Sequence, residues 1–294
     1  MEFHLQMLRV ATFASAVAIA AQLAGQEPAS EPAAAEPRTF RELMDRAVNQ
    51  VEVFADADAK TPAKPIVALR WANNARGSED GLTLIYVFEG RPLAAACLYP
   101  WDKRLIHDCE ALGRFDSLGR GKIVARRDGQ LIWQPQKSGV LFAPISDAPT
   151  PETTPAARLR QMKSLAEQFQ STMLGWKSDS TDREELRMLP RPLYRYEPKD
   201  DPAADNAVID GAVFAFVMGT DPESLLLIEA VRRGDKTSWE FGFARRTSGE
   251  LEGRHNDKVV WHADRYPQTT DPAQPHFSVG APIPPELLPG PEEK

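Results

Sequence analysis

Cysteine is scarce in this 294-residue chain, with Cys97 and Cys109 as its two thiols. At most one intramolecular crosslink can form, which excludes a disulfide scaffold and leaves stability to a packed core. There is no CxxC, and no two of the five histidines stand at helical i, i+4 spacing, so the usual zinc signatures are missing. A dense basic face is missing as well. The 35 Lys and Arg are interspersed among 42 Asp and Glu, for a net charge of −7, which argues against nucleic acid as a partner. Neither GxSxG nor GxGxxG is present, and "GRFDSLGRGK", Gly113–Lys122, carries Asp116 where a Walker loop needs its first glycine. That stretch reads as an interstrand loop, with three cations available to an anionic ligand.

Long apolar runs are also lacking. The uncharged segment Val10–Ala21, "VATFASAVAIAA", falls short of the roughly twenty residues that span a hydrocarbon core. Behind Arg9, and ahead of small residues, it fits the h-region of a signal peptide, with cleavage after Ala20 or Gly25. Gln26 stands where a lipoprotein would carry its lipidated cysteine, so no lipid anchor is expected. Residues 1–25 are therefore expected to be a signal peptide and the mature protein to be secreted or periplasmic, without a transmembrane span.

What remains is ordinary globular material, 42% apolar and 26% charged. Residues 26–37, "QEPASEPAAAEP", read as a disordered linker, and the "DAPTPETTP" stretch marks a second linker at 147–155. Two helices stand out. Thr39 and Glu42 have capping-box spacing ahead of a stripe of Phe40, Leu43, Met44, Ala47, Val48, Val51 and Phe54. Thr154 caps the second, with Pro155 at its first position and a stripe running from Leu159 through Met162, Ala166 and Phe169 to Met173.

After each helix, short apolar runs broken by turn residues predict antiparallel strands. "DGLTLIYVFEGRP" from Asp80 aligns with "DGAVFAFVMGTDP" from Asp210, and the segments ending at Trp133 and Trp261 align in turn. From Gly81 to Trp133 is 52 positions and from Gly211 to Trp261 is 50, so one short gap keeps the anchors in register. The expected fold is α+β: two tandem repeats, each an amphipathic helix followed by an antiparallel β-meander, over 38–146 and 156–265. Element order likens them to the cystatin or nuclear-transport-factor-like class. "LPRPLYRYEP" is then the lead-in to a strand of the second unit rather than a Pro-rich ligand. Residues 266–294, with eight prolines from Pro267 on, are expected to form an extended tail without strand or helix, available to a protein partner.

The densest polar cluster is "RLIHDCEALGR". On a strand His107 and Cys109 share one face and Asp108 and Glu110 the other. Residues two apart lie about 6.5 Å from each other, too far for a Cys–His nucleophile pair on a regular strand. A half-buried or core role is therefore expected for His107 and Cys109, and a Cys97–Cys109 disulfide across the "YPWDK" turn stays open. His255, Asp257 and His262 lack a common face and are read as surface groups. "SDSTDREE", Ser178–Glu185, is read as an acidic loop without the ligand spacing of a calcium site.

"RWANNARGSEDG", "RLRQMKSLAEQF", "ELRMLPRPLYRYEP" and "DGAVFAFVMGTDPESLLLIEA" together resemble a set of uncharacterised exported proteins of planctomycete-type bacteria, over residues 66–262. The resemblance implies export and one architectural unit, and it brings no catalytic residues, cofactor or metal. The functional expectation is a non-catalytic binding or structural module. The alternative is a hydrolase-like enzyme with a site between helix and sheet, using His107 with Asp108 or Glu110.

Overall fold

Four hairpins close on two consecutive residues with positive φ: Glu89–Gly90, Asp102–Lys103, Asp128–Gly129 and Asn256–Asp257. Their twist matches that of the flanking strands, and only short or Gly-containing sequences accept the conformation cheaply. The computed structural model describes residues 39–58, 60–73, 78–114, 123–175, 182–196 and 207–288. The expected signal peptide, the 26–37 linker, residues 115–122 of the Gly-rich loop and Ser178–Thr181 lie outside them.

The protein is mostly β. Three sheets carry it. The first is three-stranded, order β1-β6-β7, built from β1 (Glu52–Phe54), β6 (Val124–Arg127) and β7 (Gln130–Trp133). The second is an antiparallel meander of β2 (Lys64–Asn73), β3 (Ser78–Phe88), β4 (Arg91–Trp101) and β5 (Arg104–Ala111). Strand β17 (His276–Pro282) adds to it, in the order β17-β5-β4-β3-β2. The third and largest begins with β8 (Ala143–Pro144), β9 (Phe169–Leu174), β10 (Arg183–Met188) and β11 (Tyr194–Arg195). It continues with β12 (Val208–Met218), β13 (Asp221–Arg233), β14 (Lys236–Arg245), β15 (Glu250–His255) and β16 (Lys258–Ala263). Its order is β16-β15-β9-β10-β12-β13-β14-β8, with β11 paired to β12.

Strand periodicity explains the layering. Along β3, Leu82, Leu84 and Tyr86 join a core with Met44 and Val51, whereas Ile85 faces the other way. Along β12, Phe214 and Phe216 pack with Met162 and Leu165 of the second helix, and Val213, Ala215 and Val217 meet Ile85 and Ala95. The five-stranded and nine-stranded sheets therefore pack face to face over a shared core, and each carries a second core on its outer side. The large sheet also curls on itself: Phe243 stacks on Trp261 at 5.2 Å, and its ring lies where a Cβ on Gly253 would sit.

Two expectations are corrected here. Among the described residues there are two α-helices, α1 (Phe40–Ala47) and α2 (Pro155–Ala166), and neither runs as far as its apolar stripe. Both caps are made as expected, Thr39 Oγ1 accepting from the Glu42 N–H and Thr154 Oγ1 from the Ala157 N–H. Phe54 and Phe169, however, belong to β1 and β9. The fold is mostly β rather than the α+β expected, and the two halves are not helix-plus-meander repeats. Hairpin β6–β7 leaves the first meander to pair with β1, while β15–β16 stays in the large sheet through β9. Asp-Gly, Pro and Trp anchors mark hairpins, which any meander shares. The edges that then pair are set by contacts distant in sequence.

The tail expectation fails as well. Residues 276–282 pair with β5 along its length, Phe277 stacks on Trp133 at 6.3 Å, and Ile283 and Leu287 are buried in the same core. Arg183–Glu185 likewise belong to β10, paired with β9, rather than to an acidic loop. If the tail is docked, Phe277→Ala should lower the free energy of unfolding by about 3–5 kcal/mol. A denaturant titration indistinguishable from the parent would show the tail to be loose.

Candidate functional site

Alternation along β5 sends its polar residues to two different places. His107 lies opposite Leu98 and Val279 and faces the core shared with α1 and the three-stranded sheet. It is 1% exposed, and the Arg127 guanidinium donates to its Nδ1 at 3.3 Å, so that nitrogen accepts and the proton sits on Nε2. Burial first and the Arg127 charge second lower its pKa from 6.5 to about 3, against a smaller opposing effect of the Ala47 backbone. His107 is therefore a neutral core imidazole, and the structure does not bring it to Asp108 or Glu110.

The disulfide is corrected on the same ground. Cys97 lies opposite Asp108 and Cys109 opposite Ala96, so the two thiols point to opposite faces of the sheet, both buried and both free. Burial pushes both thiols up, Cys109 to about 12, so neither is a ready thiolate.

Asp108 and Glu110 face the nine-stranded sheet, and β17 completes their surroundings. Its register sets His276 opposite Glu110 and Ser278 opposite Asp108. His276 Nδ1 lies 2.9 Å from Glu110 Oε2, and its Nε2 lies 3.7 Å from Asp108 Oδ1. The Ser278 hydroxyl donates to Asp108 Oδ1, and Tyr99 donates to Oδ2 at 3.2 Å. Burial raises the Glu110 pKa, and the His276 contact and the Arg246 and Arg245 charges offset this in part. Gly139 closes over this pair, and any side chain there would collide with Glu110 Oε1.

Two arginines at the end of β14 were not singled out from the sequence. Arg245 and Arg246 are 7% and 3% exposed, and among the described residues neither forms an ion pair. Arg246 Nη2 donates to the Asp108 carbonyl at 2.7 Å, while Nε and Nη1 have no partner. Burial opposes its charge, but Cys97, Asp108 and Glu110 together outweigh that and raise its pKa. Arg245 Nη2 donates to the Asp264 carbonyl at 2.7 Å, and its Nη1 has no partner. The available signal was "FARRTSG", two consecutive cations closing an aromatic, apolar strand.

The two arginines open into different cavities. Arg246 lines one of about 370 Å³ between the sheets, with Asp108, Asp221 and Glu223 around it, the buried Trp71 and half-buried Tyr99 also on its wall, and Trp101 exposed. Arg245 lines a second, of about 770 Å³, with Glu110, His276 and Tyr266. Three partly buried arginines are matched to carboxylates: Arg158 and Arg195 hold Asp210, and Arg114 bridges Glu229 and Glu240, which lie directly opposite each other on β13 and β14.

The remaining sequence candidates do not converge. His255 stacks on Phe169 at 4.4 Å, Asp257 sits in the hairpin turn, and His262 lies 3.1 Å from Asp264. Among the described residues no group of three His, Cys, Asp or Glu side chains is placed to hold a metal ion, and no helix is long and apolar enough to cross a membrane.

The depressed His107 pKa fixes a sign. The folded protein leaves His107 neutral, so its contribution to stability is complete above pH 6.5 and is lost progressively as pH falls towards 3. Over that window His107→Gln should show a stability-versus-pH slope shallower than the parent by roughly 1 kcal/mol per pH unit. Equal slopes in urea titrations would mean that the buried imidazole takes up a proton freely. No family model, curated protein or solved structure matches the chain.

Proposed function

We propose that this is an exported, non-catalytic binding protein whose inter-sheet cleft takes a small, neutral, polyhydroxylated ligand. The observation that carries the reading is Arg246, almost wholly buried on the wall of the cleft with Nε and Nη1 unpartnered among the described residues. A buried donor left unmade costs about 1–3 kcal/mol, so a ligand acceptor there is strongly favoured. The cleft's volume of about 370 Å³ lies within the range of small-molecule sites.

Charge argues for a neutral ligand. Asp108, Asp221 and Glu223 face Arg246 and Arg265 in the same cleft, so donors and acceptors alternate without a large excess of either sign. Hydroxyls from Tyr99, Ser278 and Thr269 add groups that both donate and accept. Trp101, 60% exposed at the mouth, supplies an apolar platform of the kind that stacks against a ring face. Export rests on the N-terminal run Val10–Ala21 behind Arg9.

Catalysis is the weaker reading because the polar groups are joined in the wrong order. In a nucleophile–base–acid array the imidazole sits between serine and carboxylate. Here the carboxylate of Asp108 sits between Ser278 and His276, so no imidazole takes the serine proton. Asp108 and Glu110 open into separate cavities with His276 between them, which leaves no space for a scissile bond flanked by both.

Trp71 and Trp101 make binding visible. Titration with a panel of monosaccharides, disaccharides and linear polyols should quench or shift tryptophan emission saturably for at least one member. Trp101→Ala, an exposed change that spares the fold, and Arg246→Gln should each weaken that ligand by about tenfold or more, equivalent to ~1.4 kcal/mol. A panel without saturable binding, or equal affinity in both variants, would rule the cleft out as this site.

A further inference from the structure

We infer that a second site, separate from the inter-sheet cleft, binds an organic carboxylate with an apolar or aromatic body, its charge received by Arg245. The guanidinium lies 4.9 Å over the Tyr266 ring, donates from Nη2 to the Asp264 carbonyl, and has no partner for Nη1 among the described residues. A buried cation without a counter-ion is costly, and the partly buried Arg114, Arg158 and Arg195 all hold carboxylates. Burial pulls the Arg245 pKa down, and the charges of Glu110, Tyr266 and Asp264 offset this only in part.

The cavity around Arg245 is the larger of the two, about 770 Å³. Its charged lining is Arg114, Lys137 and Arg245 against the single carboxylate Glu110. Arg114 is already neutralised by Glu229 and Glu240, and Glu110 is engaged by His276. Asp264 lies nearby with its side chain 93% exposed and bonded to His262, and acts on Arg245 through its carbonyl. The uncompensated charge facing the cavity is therefore positive. A second unpartnered buried donor, the Tyr266 hydroxyl, lines the same space, and burial raises its pKa so that it keeps its proton.

The remaining wall selects among anions. Val140, Leu141, Phe142 and Trp261 present an apolar surface, with Leu141 86% exposed. An inorganic anion would satisfy Arg245 and leave that surface wet. A carboxylate carried on a ring satisfies both, because bidentate guanidinium–carboxylate bonding fixes one end and apolar burial the other.

The test uses the full chain and isothermal titration with 2-naphthoate, acetate and inorganic phosphate. Saturable 2-naphthoate binding is expected, at least tenfold tighter than acetate or phosphate. Arg245→Gln should weaken it tenfold or more, and Tyr266→Phe, which removes one hydroxyl and keeps the ring, several-fold. Arg246→Gln should leave it unchanged, so that failure here is distinguishable from failure of the inter-sheet cleft. Absence of saturable naphthoate binding, equal affinity in Arg245→Gln and Tyr266→Phe, or phosphate binding as tightly as naphthoate would each overturn the assignment.

Discussion

When Phe277 and Val279 drop onto the core that already holds Cys109 and His107, the residues between them have no choice of face. His276 and Ser278 must turn to the side of Glu110 and Asp108. That pairing of β17 with β5 is apolar in its driving force and polar in its consequence. One side of the ribbon buries an aromatic stack on Trp133, and the other completes a line of hydrogen-bonding groups between two sheets. Strand periodicity of two makes the two sides inseparable, since a one-residue slip would exchange them. Asp108 lines one of the two cavities and Glu110 the other.

Burying so many ionisable groups between sheets requires that each find a partner. Most do. Glu229 and Glu240 occupy directly opposite positions on neighbouring strands, an arrangement that repels unless a cation bridges them, and Arg114 does so while its guanidinium lies 3.6 Å from the Phe142 ring centroid. Asp210 is held from two sides by Arg158 and Arg195, which ties α2 to β12. Against that background the arginines at 245 and 246 are the exception. Unlike Arg114, Arg158 and Arg195, these two reach cavity walls without an ion pair among the described residues, and buried donors left unmade there favour a ligand that supplies acceptors.

Local chemistry was legible in the sequence and non-local pairing was not. Thr39 and Thr154 announced both helix starts because a cap is a matter of three or four residues. The double-sided burial of "LTLIYVF" and "AVFAFVM" could be read because, Thr83 apart, both ribbons are apolar throughout, and a strand buried on both faces has that pattern. One local device does recur in the two halves: the Trp71 ring covers Gly81, and the Tyr196 ring covers Gly211, each where a Cβ would collide. It does not extend to topology, because the same glycine and aromatic serve sheets that differ in strand number and order. The helices were overextended because Val51, Phe54, Phe169 and Met173 fit both a helical stripe and a short buried strand.

The tail shows most clearly why composition misleads about the site. Eight prolines suggested a segment that could not pair, yet proline forbids only the interior of a sheet. Strand β17 lies at an edge and pairs with β5 as its neighbouring strand, with the Ser278 N–H donating outward to the Thr269 carbonyl, and Pro282, its last residue, ends the pairing opposite Arg104. The segment "HFSVGAP" alternates polar and apolar residues as a half-buried strand must, a signal present but outweighed by the prolines around it. Reading parity rather than proline count would have placed His276 and Ser278 on one face. It would still have left their partners unknown, because the register that sets them against Glu110 and Asp108 spans about 170 residues of chain and is decided by which edge Phe277 can bury itself against.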